Sequence, residues 1–278
     1  MTKITYIPGE IANAAIDENG NRKHVTTGAP AIQKANQFPK RVIIETYNTG
    51  NYTGNGTPDK YDYRNAIAEG NADIICLQED VAQAFGGEPS KTVFGEYAFV
   101  QRINGGNYNY FSIASKYAQI SKAAVKYTHG QATNPYNHPF FQFATILIDN
   151  KVVAFANVHL DWQDNGWRRL QLRQVINYLL NYDYAIVVGD FNPDNYDHGT
   201  KIDDNLVYDI DWQYFDDAGY KRGNTGYFGL FSTTGEGNHA GPYDNVFVKG
   251  NINIQKAYVR RKDYMNDHLI FGVCLTIY

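Results

Sequence analysis

Apolar residues in this chain come mostly as short runs and alternations broken by Gly, Asn and Asp, not as long helical stripes. "RVIIETYN" (41–48) predicts a strand. "DYRNAIAEG" (62–70) predicts a short helix closed by Gly70, and "ADIICLQED" (72–80) a second, buried strand. "EYAFVQRI", "YFSIASK", "FQFATILID" and "KVVAFANVHL" predict four more strands. Asp149 and Asn150 between the last two predict a hairpin. "RRLQLRQVINYLL" (168–180) carries Leu170, Leu172, Val175, Ile176, Leu179 and Leu180 at near-helical spacing, so a helix is expected there. "YAIVVGDFN", "YDNVFVKG" and "HLIFGVCLTIY" predict the remaining strands. Strands and helices mix without strict alternation. An α+β sandwich of sheets is therefore expected over a doubly wound parallel sheet.

Residues 1–40 differ from this pattern. "NAAIDENGNRKHVTTGAP" is polar and lacks periodicity, and reads as an extension that docks onto a partner or stays flexible. Its composition resembles leader segments that anchor a functional domain to a phage particle. The main domain is expected over 41–278. Among 278 residues, 43% are hydrophobic and 19% charged, an ordinary globular balance with a net charge of -4. No global basic field holds a polyanion, so nucleic-acid binding must come from a local basic patch or a metal ion. The two cysteines, Cys76 and Cys274, sit in apolar runs and read as buried thiols. The N-terminus shows no signal-peptide pattern and no run spans a membrane. The default compartment is cytoplasmic, with a particle-associated protein as the other expectation.

Polar residues of one kind recur at strand ends: Asn48, Glu79, His159, Asp190 with Asn192, Asp244, and Asp267 with His268. Each alone has an ordinary reading as a turn or cap residue. Strands that run parallel, however, deliver their ends to one edge. Glu79, Asp190, Asp267 and Asn48 are hard oxygen donors that suit Mg²⁺, Mn²⁺ or Ca²⁺. Two histidines supply proton-transfer groups near neutral pH, and Asp244 is placed to fix the tautomer of one. Metal, carboxylates and paired histidines are what phosphoester cleavage requires.

"LQED", "NVHLDW", "GDFNPD", "YDNVFV" and "NDHLIF", in this order, resemble the endonuclease/exonuclease/phosphatase superfamily typified by deoxyribonuclease I. The resemblance runs from about residue 41 to the C-terminus. It implies a four-layer α/β/β/α sandwich of two mixed β-sheets. It also implies Asn48, Glu79 and Asp267 as the metal set and His159, Asp190, Asn192, Asp244 and His268 as the catalytic set. Asp80, directly after the metal Glu, departs from the pattern and argues against minor-groove binding.

Basic and aromatic residues cluster in three stretches read as site-rim loops. Arg102, Tyr108, Trp162, Arg168 and Arg261 are the substrate-binding candidates among them, with Arg260 beside the last. A metal-dependent phosphodiesterase acting on DNA or another polynucleotide is the first expectation. A phosphoinositide phosphatase or sphingomyelinase-like phospholipase C is the second, for which an exposed "GYFGLFS" (226–232) would be the sign. A non-catalytic structural or particle-attached module is the third.

Overall fold

The computed structural model describes residues 39–50, 67, 69–80, 97–104, 110–128, 139–161, 165–192, 210–224, 242–260 and 268–278. All of their elements lie in one compact unit, Lys40–Tyr278.

Two six-stranded sheets pack face to face. The first has the order β11-β12-β1-β2-β4-β3. Its strands are β1 (Lys40–Asn48), β2 (Ile74–Gln78), β3 (Phe99–Asn104), β4 (Tyr110–Ser115), β11 (Ile252–Arg260) and β12 (Ile270–Ile277). The second has the order β5-β6-β7-β8-β10-β9. It comprises β5 (Gln119–Lys126), β6 (Phe140–Ile148), β7 (Lys151–His159), β8 (Tyr184–Asp190), β9 (Lys221–Arg222) and β10 (Asp244–Lys249). Both sheets are mixed. β1 and β2 run parallel in the first, β7 and β8 in the second, and the other pairs are antiparallel.

Alternation decides which side chain faces which layer. Val42, Ile44, Ile74, Cys76, Val153, Phe155, Ile186, Val188, Val246, Val273 and Leu275 meet between the sheets. The opposite parity of the second sheet, including Ala154, Val187 and Phe247, packs beneath α1 (Asn165–Tyr178) and α2 (Ile210–Asp217). Leu172, Val175 and Ile176 form the apolar stripe of α1, and Leu179 joins the same core just past its end. On the outer face of the first sheet, Tyr47, Ile75, Leu77, Ala114 and Ile270 surround Ile67, which is helical, as are Glu69 and Gly70. The layers are therefore α/β/β/α, as expected.

Three strands and one helix depart from the sequence reading, the shortest strand being the two-residue β9. β11 was not expected as a strand, and its alternation shows why. Ile252 and Ile254 point inward, the register shifts between Ile254 and Lys256, and Ala257 and Val259 then take the inward parity. β5 is an edge strand whose inward residues are short and whose exposed ones include Lys122 and Lys126, so its apolar signal is faint. α2 is only eight residues long. Leu180, expected on the apolar stripe of α1, lies past its end and is 55% exposed.

Candidate active site

The two parallel pairs set the site. Register pairs Asn48 with Gln78 at the end of β1 and β2, and His159 with Asp190 at the end of β7 and β8. β10 enters antiparallel, which puts Asp244 opposite Asp190. His268 stands just ahead of β12. Each sheet thus contributes half of one cluster.

Asp190 is its centre. Its Oδ2 accepts from Asn48 Nδ2 at 3.1 Å and lies 3.5 Å from His159 Nε2 and 3.6 Å from His268 Nε2. Its Oδ1 accepts the Asn192 N–H at 3.0 Å. Burial raises the Asp190 carboxyl most, the charge of His268 lowers it and Asp244 raises it further. The bonds from Asn48 and Asn192 lower it, and the result is a group pushed up to about 7. Gly189, at φ 139, makes the placement possible, since a Cβ there would run into the Val158 carbonyl oxygen of the neighbouring strand.

Glu79 approaches from the other sheet. Asn48 Nδ2 reaches Glu79 Oε1 at 3.3 Å, and His159 Nε2 lies 3.9 Å from the same oxygen. Glu79 holds a φ of 48°, and Asn192 one of 42°. Asn tolerates that region, but Glu does not do so readily, and backbone strain of this kind collects at functional sites. Thr49 helps to fix the turn, its hydroxyl donating to the Glu79 carbonyl at 2.6 Å. His268 is oriented by Asp244, with 2.8 Å between Nδ1 and Oδ2. Asn192 donates its side-chain amide to the Leu160 carbonyl at 2.9 Å, which ties the turn after β8 to the end of β7.

The donor set decides which ion fits. Asp190, Asp244 and His268 offer ligand atoms within 4.8 Å of one another, but the hydrogen bond between His268 and Asp244 already engages those two. Glu79 and Asp190, both reached by one Asn48 amide, present carboxylate oxygens across the gap between the sheets. Oxygen donors of this kind match a hard divalent cation. Asn48 itself was expected to offer its oxygen to the metal. Here that oxygen accepts the Gly50 N–H at 3.0 Å, and it is the amide nitrogen that faces the carboxylates.

Of the substrate-binding candidates, Arg102 donates to the buried Asp80 at 2.9 Å, and Ser112 donates to the same oxygen. Asp80 is 0% exposed, so it presents no surface charge, and the objection it raised to nucleic-acid binding falls away. Arg168 is a correction. It is 2% exposed and donates to the Asp161 carbonyl at 3.0 Å, so it supports the segment after β7 from inside instead of lining a rim. Arg260 is another, since it closes β11 and is bidentate to buried Glu45. Asp267, Tyr108, Trp162, Arg261 and the 226–232 stretch lie outside the described residues.

Tyr243 was missed. Its ring meets His268 edge-on, with centroids 6.3 Å apart. Its hydroxyl is pushed up to about 12, first by burial and then by the negative charge of Asp190. Its position directly before Asp244 was the available signal.

The profile of the Endonuclease/Exonuclease/phosphatase family matches residues 46–262. No curated protein sequence matches the chain. Similar solved structures include a family protein from Leptotrichia buccalis C-1013-b, with TM-score 0.63 and 15% identity over 84% of this chain and 98% of that one. Another family protein, from Bacteroides vulgatus, gives TM-score 0.61 and 14% identity over 86% and 100%. D. rerio TDP2 complexed with a single-strand DNA product gives TM-score 0.61 and 12% identity over 84% and 98%. At these identities the likeness is one of fold.

Proposed function

The chain belongs to the endonuclease/exonuclease/phosphatase family, and we propose that it is a divalent-metal-dependent phosphodiesterase that cuts a polynucleotide by in-line attack of water. The observation that carries this reading is the convergence on Asp190 Oδ2 of His159, His268 and Asn48, at 3.5, 3.6 and 3.1 Å. Burying that carboxyl, pushed up to about 7, costs stability that these groups only partly offset, and a chemical role explains the arrangement. The neighbour holding a single-strand DNA product supports a nucleic-acid substrate.

Glu79 and Asp190, with Asp267 completing the set, would hold Mg²⁺ or Mn²⁺, which when bound supplies positive charge against a non-bridging phosphate oxygen. Asn48 holds the two carboxylates in place through its amide hydrogens. Asp244 accepts the Nδ1–H of His268, which leaves the Nε2 lone pair facing Asp190. A water in contact with His268 Nε2 or Asp190 gives its proton to that group as it attacks. The bond from water oxygen to phosphorus forms as the bond to the leaving oxygen breaks. His159 contacts the phosphate and returns a proton to that oxygen. Asn192 fixes the attacking water or the phosphate.

The test uses supercoiled plasmid with Mg²⁺ or Mn²⁺. Nicking that EDTA abolishes, and that His159→Ala and His268→Ala each reduce by ~10²–10⁴, is the expected result. Metal-dependent binding without nicking would sink the nuclease reading. Inositol phosphates and sphingomyelin would then be the next substrates to assay.

A further inference from the structure

Behind the site, the space between the sheets is crossed by a ladder of buried carboxamides. Gln78 Nε2 donates to Asn157 Oδ1 at 2.6 Å. Asn157 Nδ2 shares its hydrogens among the Leu77 carbonyl at 3.0 Å, the Ser112 carbonyl at 3.2 Å and Gln142 Oε1 at 3.0 Å. Gln142 Nε2 continues to the Gln101 carbonyl at 3.0 Å, and Gln78 also donates to Thr46 Oγ1 at 3.0 Å. Asn157, Gln78, Gln142 and Thr46 are 0% exposed. Asn157 and Gln142 belong to the second sheet, and Leu77, Gln78, Gln101 and Ser112 to the first.

We infer that Asn157, with Gln78 and Gln142, is a positioning residue that sets the register of one sheet on the other, so that Glu79 and Asn48 meet His159 and Asp190.

Placement carries the argument. Thr46 lies two residues before Asn48, Gln78 one before Glu79, and Asn157 two before His159. Because side chains alternate, Thr46 and Asn48 share a strand face, as do Asn157 and His159. Among the described residues, the rest of the gap is filled mostly by Val, Ile, Leu and Phe. Such contacts are non-directional and accept a small slide of one sheet over the other. Hydrogen bonds do not, because they weaken steeply with misalignment. A polar residue kept only as tolerated filling would satisfy itself within its own sheet. Four of these bonds instead cross from one sheet to the other. The site needs such a device, because neither sheet alone holds both Glu79 and Asp190.

The kinetic half of this inference rests on the phosphodiesterase reading, while its geometric half does not. The experiment compares Asn157→Ala with Val153→Ala, a buried residue of the same strand toward the other end of the apolar layer. Gln142→Leu serves as a second ladder variant should Asn157→Ala fail to fold. Turnover is followed on a fluorophore- and quencher-labelled DNA oligonucleotide with Mn²⁺, and each variant is also crystallised. Misplacing reacting groups by about 1 Å costs ~10² in rate, so the ladder variant should lose ~10² in kcat with KM little changed, while Val153→Ala keeps its kcat despite a lowered melting temperature. The Asn48 Nδ2 to Asp190 Oδ2 distance, 3.1 Å here, should lengthen only in the ladder variant. Equal kcat in the two folded variants, or an unchanged distance, overturns the inference. If the wild type cleaves nothing, the phosphodiesterase reading fails by itself, and the distance alone decides the positioning role.

Discussion

Asp190→Asn should make the metal-free protein more stable while removing its activity. Asp190 is 1% exposed, and its carboxyl is pushed from 3.8 to about 7. Between those pH values the unfolded chain has lost the proton and the native chain still holds it. Unfolding therefore releases a proton, and stability falls as pH rises from about 4 to about 7. At ~1.4 kcal/mol per pH unit, the full cost above pH 7 is about 4 kcal/mol. Asparagine carries no such cost, but it cannot accept from both Asn48 and Asn192 as a carboxylate does, which returns about 1–2 kcal/mol. A net gain of about 2–3 kcal/mol at pH 8 remains, or roughly 5–10 °C in melting temperature for a domain of this size. The assay is thermal and urea unfolding of both proteins in EDTA from pH 4 to pH 8. The gain should be absent near pH 4 and grow through pH 7. A variant no more stable than wild type at pH 8, or a gain of equal size at both ends, would refute the reasoning. That outcome would mean that Asn48 and the histidines compensate the buried charge in full.

Asp244→Asn keeps the shape but replaces the charged, acceptor-only group that fixes His268 with a neutral amide that can also donate, and kcat should fall ~10²–10⁴ with the fold intact by circular dichroism. Arg102→Ala takes a charged donor from buried Asp80 and should lower the urea unfolding midpoint clearly. An unchanged midpoint would return Arg102 to the role of a rim contact. Gly70→Ala should lower stability, because the added carbon meets the side-chain ends of Arg260 and Glu45 and their ion pair must shift, and an unchanged melting curve would contradict that packing. Calorimetry with Mn²⁺ should show binding that Glu79→Gln weakens, and equal affinity in that variant would move the ion elsewhere.

What the sequence made legible follows from which interactions are local. Strands such as "YAIVVGD" announce themselves because both faces are buried and the whole run is apolar. The polar ends announce themselves because hard ligands and histidines rarely follow such strands together. Interactions that depend on the partner layer stayed hidden. Arg168 reads as a rim residue because it is charged and beside Trp167, yet it turns inward to the Asp161 carbonyl. Asp80 reads as a surface acid until Arg102 and Ser112 close over it. Asn157 and Gln78 were visible only as polar residues near strand ends, since a sequence does not say which sheet a carboxamide will meet. The resemblance carried the catalytic residues across, because those recur at fixed places in the motifs. It did not carry the scaffold behind them, and Asn48 illustrates the difference. Its position was legible, while the direction of its amide was set by the Gly50 N–H, a backbone donor that no side-chain pattern encodes. In a site assembled from two sheets, the chemistry is written at the strand ends. The alignment that makes it work is held by side chains one or two residues further back.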